Sequence, residues 1–505
     1  MLAIPLLLAA DPAPVAELRI KAELGDAAAQ AELGLAYSLG SGVAVDKNEA
    51  LKWLRLAAGQ GNALAQYNLG VMYEHGDGVP RQGVEAVRWY RRAADQGFAA
   101  AQFNLGSMFA TGTGVPLNRT EAADWWRKAA DQGDAEAQYN LGNAYAAGSG
   151  VGQDFATALK YLQLSAGQGN ALANYRIGLM HEHGDGVPAD AREAARWYRQ
   201  AAELGDRLAP QRLGEMYAAG VGVPRDAAES AKWWRKAAEQ GDAVAEYNLG
   251  LMYARGVGVP RDSAEAARWY RQAADQGFAE AQTNLGLMYA AGVGVTKDGA
   301  EAVRWCRQAA EQDVAAAQYN LGLIYLRGDA VPKDDAEAAR WIRRAADLGL
   351  ADAQADLAQM CATGTGVPKD EAAAARWNRL AAEAGLARAR NSLGVMYSLG
   401  HGVPQDHREA LKWYRLAAGQ GYLGAMHNLG VALLAAEDAP QHLVEAHAWL
   451  RLAGALGVGP AKDLADSIEA RMTQEQIMES EQLARAWLEK WRPGAGATAA
   501  PPPNP

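Results

Sequence analysis

Three patterns in the 505-residue chain could carry chemistry. His181, Glu182 and His183, with Asp185, offer the imidazole and carboxylate donors that hold zinc. On a helix, side chains two residues apart point to different faces, so this pair cannot close on one ion. His401, His407, His427, His442 and His447 are scattered and show no ligand spacing. Recurrent Gly-x-Gly-Val-Pro loops suggest a phosphate cradle, but they lack the third glycine and the strand of a dinucleotide fold. Cys306 and Cys361 offer thiols. No Gly-x-Ser-x-Gly, Ser-x-x-Lys or phosphate-loop sequence is present. The expectation is a chain with no catalytic, metal or cofactor site.

The elements behind these patterns explain them better. A Leu-Gly or Ile-Gly pair recurs with its glycine at Gly34, Gly70, Gly106, Gly142, Gly178, Gly214, Gly250, Gly286, Gly322, Gly394 and Gly430, with Ala358 at the missing member. Each step is 36 residues. A second column follows 19 residues later: Trp53, Trp89, Trp125, Tyr161, Trp197, Trp233, Trp269, Trp305, Trp341, Trp377, Trp413 and Trp449. Two columns in one register define a tandem repeat. Each unit reads as a helix, a Gly-rich turn and a second helix. Glycine past a helix end takes the left-handed conformation that other residues resist. The proline in most turns prevents the helix from continuing. Asp-x-x-Glu, as in Asp262 with Glu265 or Asp298 with Glu301, opens the second helix by accepting its exposed amides.

The predicted fold is therefore all-α: an α-solenoid of twelve 36-residue helix-turn-helix repeats with capping helices at both ends. Residues 13–25 form the N-terminal cap, with Ala22 and Gly25 in register and Glu17 where the Trp would stand. The repeats occupy 26–457, and capping helices occupy 458–492. Leu483, Trp487 and Trp491 recur at helical spacing and should seal the last repeat. Residues 493–505 are a Pro- and Ala-rich disordered tail. The Trp column is the expected partner of the mid-helix glycines and a packing ladder between layers.

Charge and composition exclude several function classes. The net charge of −10, with both signs interspersed, provides no basic stripe for nucleic acid. No apolar run reaches the roughly 20 residues of a membrane span. The two cysteines fall in different repeats, too far apart for a disulfide when helix pairs stack at roughly 10 Å. Residues 1–12 open with MLAIPLLLAA, which resembles the apolar part of a secretory signal, although Arg19 is the first basic residue. A periplasmic or secreted location is the expectation, with the cytoplasm as the alternative.

The unit closely resembles the Sel-1-like repeat, a relative of the tetratricopeptide repeat, and residues 241–276 carry nearly every signature position. The resemblance implies a right-handed superhelix with a concave groove. It also implies an adaptor in signalling, membrane-associated complexes, quality control or host interaction. Cysteine-rich relatives are linked to β-lactam binding or hydrolysis. This chain lacks their paired cysteines, which puts that activity in doubt.

A partner face can be sought by helical geometry. If the mid-helix Gly, the following Tyr and the Gln before it face the second helix, the opposite face holds the residues two before and two after the Gly. The earlier row includes Asn68, Asn104, Asn140, Asn248, Asn284, Asn320 and Asn428. The later row includes Met72, Met108, Met180, Met216, Met252, Met288, Met360 and Met396. Amides bind a peptide backbone without reading its sequence, and thioethers adapt to varied side chains. One further position varies: His75, Thr111, His183, Arg255, Arg327 and Thr363. The expected partner is a protein or extended peptide in the groove. The competing reading is that Asn and Met tie neighbouring repeats together.

Overall fold

The computed structural model describes residues 15–436 and 439–490. Residues 1–14 and 491–505 lie outside it, and with them the proposed signal, Trp491 and the proline-rich tail. Among the described residues all regular structure is helical, with twenty-seven helices. The chain divides into two compact units, residues 1–241 with 257–259, and residues 242–256 with 260–505.

In the first unit a short helix, Val15–Glu23, precedes the first pair, Ala27–Leu39 and Lys47–Gly59. Later pairs follow the same pattern, as in Ala63–His75 with Gly83–Asp95. The short helix takes the place of a second helix. Its Ala22 carbonyl accepts a hydrogen bond from Gln30 Nε2 at 2.9 Å, and its Arg19 contacts the Tyr37 hydroxyl.

One pair in the second unit shows the grammar. Helix Ala279–Ala291 ends on Gly292 at φ 70°, whose N–H donates to Met288 O. The chain turns back, and Asp298 N donates to Tyr289 O at 3.0 Å. The Asp298 carboxylate then accepts from Ala300 N at 2.9 Å and Glu301 N at 3.1 Å, which starts helix Gly299–Ala310. These bonds satisfy amides that a helix start leaves without internal partners. The second glycine of the turn, Gly294, also has a positive φ, 70°. A Cβ there would stand 2.1 Å from Ser263 O on the preceding repeat, so the turn locks one repeat to the next.

The mid-helix glycine has a different partner from the one expected. A Cβ on Gly70 would meet Tyr90 at 2.5 Å, on Gly106 Trp126 at 2.7 Å, on Gly250 Tyr270 at 2.7 Å and on Gly286 the Cys306 sulfur at 2.4 Å. The close partner is thus the residue twenty positions on, one after the Trp column. At Ala358, where the glycine is missing, that partner is Asn378, a smaller side chain than Tyr or Trp.

The Trp column packs between successive layers. Trp341 lies in one cluster with Leu321 and Ile324 of its own repeat and Cys306 and Ala309 of the preceding second helix. Trp53, Trp125, Trp269, Trp305, Trp341, Trp413 and Trp449 are buried, while Trp89, Trp197, Trp233 and Trp377 are half-buried. The Asp-x-x-Glu motif orients some of them. Trp305 Nε1 donates to Glu301 at 2.9 Å, and Trp53 Nε1 to Glu49 at 3.0 Å.

Beyond the second helix of the last repeat, Ala439–Ala455, come the closing helices Gly459–Glu469 and Gln474–Lys490. Trp487 stacks on Trp449 with ring centroids 3.7 Å apart. Ser480 approaches the wholly buried His447 Nδ1 at 2.7 Å.

Candidate partner-binding face

The first helices carry one buried and one open side. Gln282 is buried, donates to Ala274 O at 3.1 Å and accepts from Gln312 Nε2 at 2.9 Å. The same relay recurs at Gln66, which donates to Ala58 O at 3.2 Å and accepts from Gln96 at 2.7 Å. Each relay ends a helix carbonyl on one side and ties two repeats on the other. Tyr hydroxyls three residues after the glycine form another tie, as Arg55 Nη2 donates to Tyr73 at 2.8 Å and Arg307 Nη2 to Tyr325 at 2.9 Å. Arg271 contacts Tyr289 in the same way. Sequence reading missed this ladder, although Arg and Tyr recur at a constant separation of 18 residues.

The Met row does not belong to the open side. Met72 and Met108 are buried, at 4% and 2% exposure. Met72 packs with Leu54, Ala57, Ala65 and Leu69 under Trp89. The reason is the helical wheel: Met72 lies three residues after Leu69 and shares its face. Met180, Met216, Met360 and Met396 are also buried, whereas Met252 and Met288 are half-buried. Met72 and Met108 are therefore corrected from groove residues to packing residues.

The Asn row is half-buried and partly committed. Asn68 Nδ2 donates back to Leu64 O at 2.8 Å and Asn248 Nδ2 to Val244 O at 2.9 Å. Asn104 lies beside Tyr67 of the preceding repeat and Asn284 beside Tyr247, each opposing the rise that burial imposes on the tyrosine hydroxyl. Asn428 donates to Asn391 at 2.9 Å. The contacts of Asn104, Asn284 and Asn428 reach the neighbouring first helix, as the competing reading expects, whereas those of Asn68 and Asn248 stay within their own helices. Asn140 and Asn320 are half-buried.

The open edge runs one residue away from the expected Met row. In the second unit it comprises Val244 and Arg255, then Glu280 and Leu287, then Leu323 and Arg327, while Leu251 packs against the cluster around Leu285 and Trp305. Arg255 and Arg327 are exposed, Leu287 is 36% exposed, and Leu251 and Leu323 are half-buried. His75, Thr111, His183 and Thr363 are exposed at the same register position as Arg255.

Elsewhere the titratable groups are used in packing. Burial pushes the Cys306 thiol up to about 12, keeping it protonated against Gly286. Burial also pushes Tyr270 up to about 12, with the neighbouring Tyr247 adding to the effect and Asn284 opposing it. Both cysteines are buried free thiols. No group of three or more His, Cys, Asp or Glu side chains among the described residues could hold a metal ion. No described helix is long and apolar enough to cross a membrane.

Comparison with known proteins gives a consistent picture. The family model described as Sel1 repeat matches twelve segments. These are 27–62, 63–98, 99–134, 135–170, 171–206, 211–242, 243–278, 279–314, 315–350, 351–386, 387–422 and 424–458. A solved protective antigen present in uropathogenic Escherichia coli strains, described as displaying an SLR fold, is 34% identical with a TM-score of 0.73. The alignment covers 97% of this chain and 99% of that one. A Sel1 repeat protein from Oxalobacter formigenes is 37% identical with a TM-score of 0.50, over 60% of this chain and 88% of its own. No curated protein matches.

Proposed function

Because the chain belongs to the Sel1-repeat family, we propose that it is a non-catalytic scaffold holding a protein or extended peptide along the open edge of its first helices. The observation that carries this reading is a division of labour within each repeat. The Gly, Gln and Trp columns and most of the Met column are taken up by packing, whereas Leu287, Arg255 and Arg327 are exposed and the residue types at their positions vary from repeat to repeat. Variation on a fixed frame is what recognition by a repeat protein requires. The absence of paired cysteines continues to weigh against a β-lactam-directed activity.

Export to the periplasm or cell surface, including a membrane-associated complex, is part of the proposal. The apolar opening MLAIPLLLAA supports it, as does the description of the 34% identical relative as a protective antigen. N-terminal sequencing of the mature protein separates an exported scaffold from a cytoplasmic regulator with the same fold. An intact Met1 argues for the latter.

The scaffold reading is tested by photocrosslinking in the producing cell. A photoreactive residue at Leu287 should capture one discrete protein, while one at Arg340 on a second helix should not. Equal capture at both positions overturns the proposed face.

A further inference from the structure

We propose that His447 is a proton-sensitive latch: as a neutral imidazole it holds the two closing helices, Gly459–Glu469 and Gln474–Lys490, against the last repeat, and its protonation in mildly acidic surroundings weakens that hold.

The latch is built from three helices. His447 stands on Ala439–Ala455 and is wholly buried. Both of its ring nitrogens face groups on the closing helices. Nδ1 lies 2.7 Å from Ser480 Oγ, and Nε2 lies 3.5 Å from a Glu469 carboxylate oxygen. Ser480 is buried as well, and its hydroxyl donates to Ile477 O at 2.8 Å. A hydroxyl has one proton to give, so the Ser480 oxygen accepts from His447 Nδ1–H. The neutral ring then carries its proton on Nδ1 and a lone pair on Nε2, the nitrogen without a hydrogen-bond partner.

A second proton would enter at Nε2 and gain little there. At 3.5 Å the Glu469 oxygen is beyond the usual reach of a hydrogen bond, about 2.7–3.2 Å. The same oxygen is shared with Arg451 Nη1 at 3.8 Å. Glu469 and Glu481 draw the proton in, while burial and Arg451 oppose it. The two carboxylates are more than a third exposed, so water screens them, whereas the ring has no exposure at all. Burial therefore wins and holds the imidazole below its ordinary 6.5. On the other packed helix, Leu423–Leu434, His427 is the one titratable residue. Glu445, on the helix of His447 itself, is paired with Arg415 at 3.0 Å.

Detachment of the closing helices returns the ring to water. The detached state then binds the proton more tightly than the closed one. This group's contribution to closure is complete above pH 6.5 and is lost as pH falls below it toward the depressed value of the closed state. One pH unit below 6.5 the loss is at most about tenfold. Acid thereby loosens the cover over the outer face of the last repeat. That face includes Trp449, stacked on Trp487, with Leu452 and Ala453 in the cluster that Ala461, Ala465 and Ile468 complete. Such an apolar end is what the capping elements of a repeat protein cover.

The test is amide hydrogen exchange on the purified full-length protein at pH 7.5 and pH 5.5, with the intrinsic rate at each pH divided out. Protection of Gly459–Glu469 and Gln474–Lys490 should fall by up to about tenfold at the lower pH, while Ala387–Leu399 keeps its protection. His447→Gln cannot titrate, and its closing helices should be protected equally at both values. No loss in the native chain, a loss shared by Ala387–Leu399, or a loss that persists in His447→Gln overturns the latch. Exchange at the His447 imidazole carbon, followed against pH in the native chain, gives its protonation midpoint even where the variant fails to close. A midpoint below 6.5 is expected, and one at or above 6.5 overturns the proposal.

Discussion

Gly250 lies against the ring of Tyr270, so closely that a Cβ on the glycine would stand 2.7 Å from two ring carbons. Alanine there gains about 1 kcal/mol of helix propensity but overpacks a filled interface, at a cost of about 1–3 kcal/mol. Gly250→Ala should therefore lower the thermal midpoint in the native chain. With Tyr270→Ala already present, the same change should raise it. A double-mutant cycle followed by circular dichroism checks this; an equal loss in both backgrounds would show that the ring is not the obstacle. Ala358 opposite Asn378 is a natural version of the compensated pair.

The amide relay gives a second prediction. Gln282→Leu removes two hydrogen bonds, the donation to Ala274 O and the acceptance from Gln312 Nε2. At about 0.5–1.5 kcal/mol net for each it should cost about 1–3 kcal/mol, although Ala274 O keeps its bond from Gly277 N. Gln312→Ala should cost less, because Gln312 sits at an exposed helix end. Unfolding midpoints of the two variants decide the order; equal losses would remove the relay from the account.

One repeat carries Glu246 in the relay position, buried and accepting from Gln276 Nε2 at 2.8 Å. Burial, opposed by that hydrogen bond and aided by Asp242 and Asp275, pushes its carboxyl up to about 7 from the ordinary 4.5. A raised acid binds its proton more tightly when folded. Stability is thus greatest below pH 4.5 for this group and falls as pH rises toward 7, after which the loss is complete. Glu246→Gln restores the relay amide without a charge. It should stabilise the protein at pH 8, have little effect at pH 4, and flatten the dependence between them. A melting series across that range is the check, and a gain that is the same at both ends contradicts the burial of a charge.

The corrected face makes a third kind of demand. Met72→Ala should cost about 2–5 kcal/mol, as loss of a buried Met side chain does. It should leave the affinity of the folded protein for its partner unchanged. A Met72 variant that folds with normal stability yet loses binding would return the Met row to the groove.

Much of this architecture was legible in the sequence, because repetition turns local grammar into columns. The glycines past the helix ends, the Asp starts and the buried Trp residues stand where their chemistry requires. The orientation of the first helix was less legible. Its glycine contacts Leu54, Tyr90, Trp126 or Cys306 in equivalent places. That column is defined by fit rather than by residue type, so identity does not reveal it. The constant Trp beside it drew the glycine's partner one residue away. The Met row failed on the helical wheel: expected opposite the buried face, it follows a buried Leu by three residues at Met72 and Met108 and shares its side. The variable position at Arg255 and Arg327, by contrast, is exposed.

The most direct test of the central claim separates binding from stability on the open edge. The protein captured by the crosslinker at Leu287 would be titrated against the native chain and against Arg255→Glu with Arg327→Glu, with melting curves recorded in parallel. The account predicts a dissociation constant weakened by about tenfold or more and an unchanged melting midpoint. Unchanged affinity in the folded variant would contradict it.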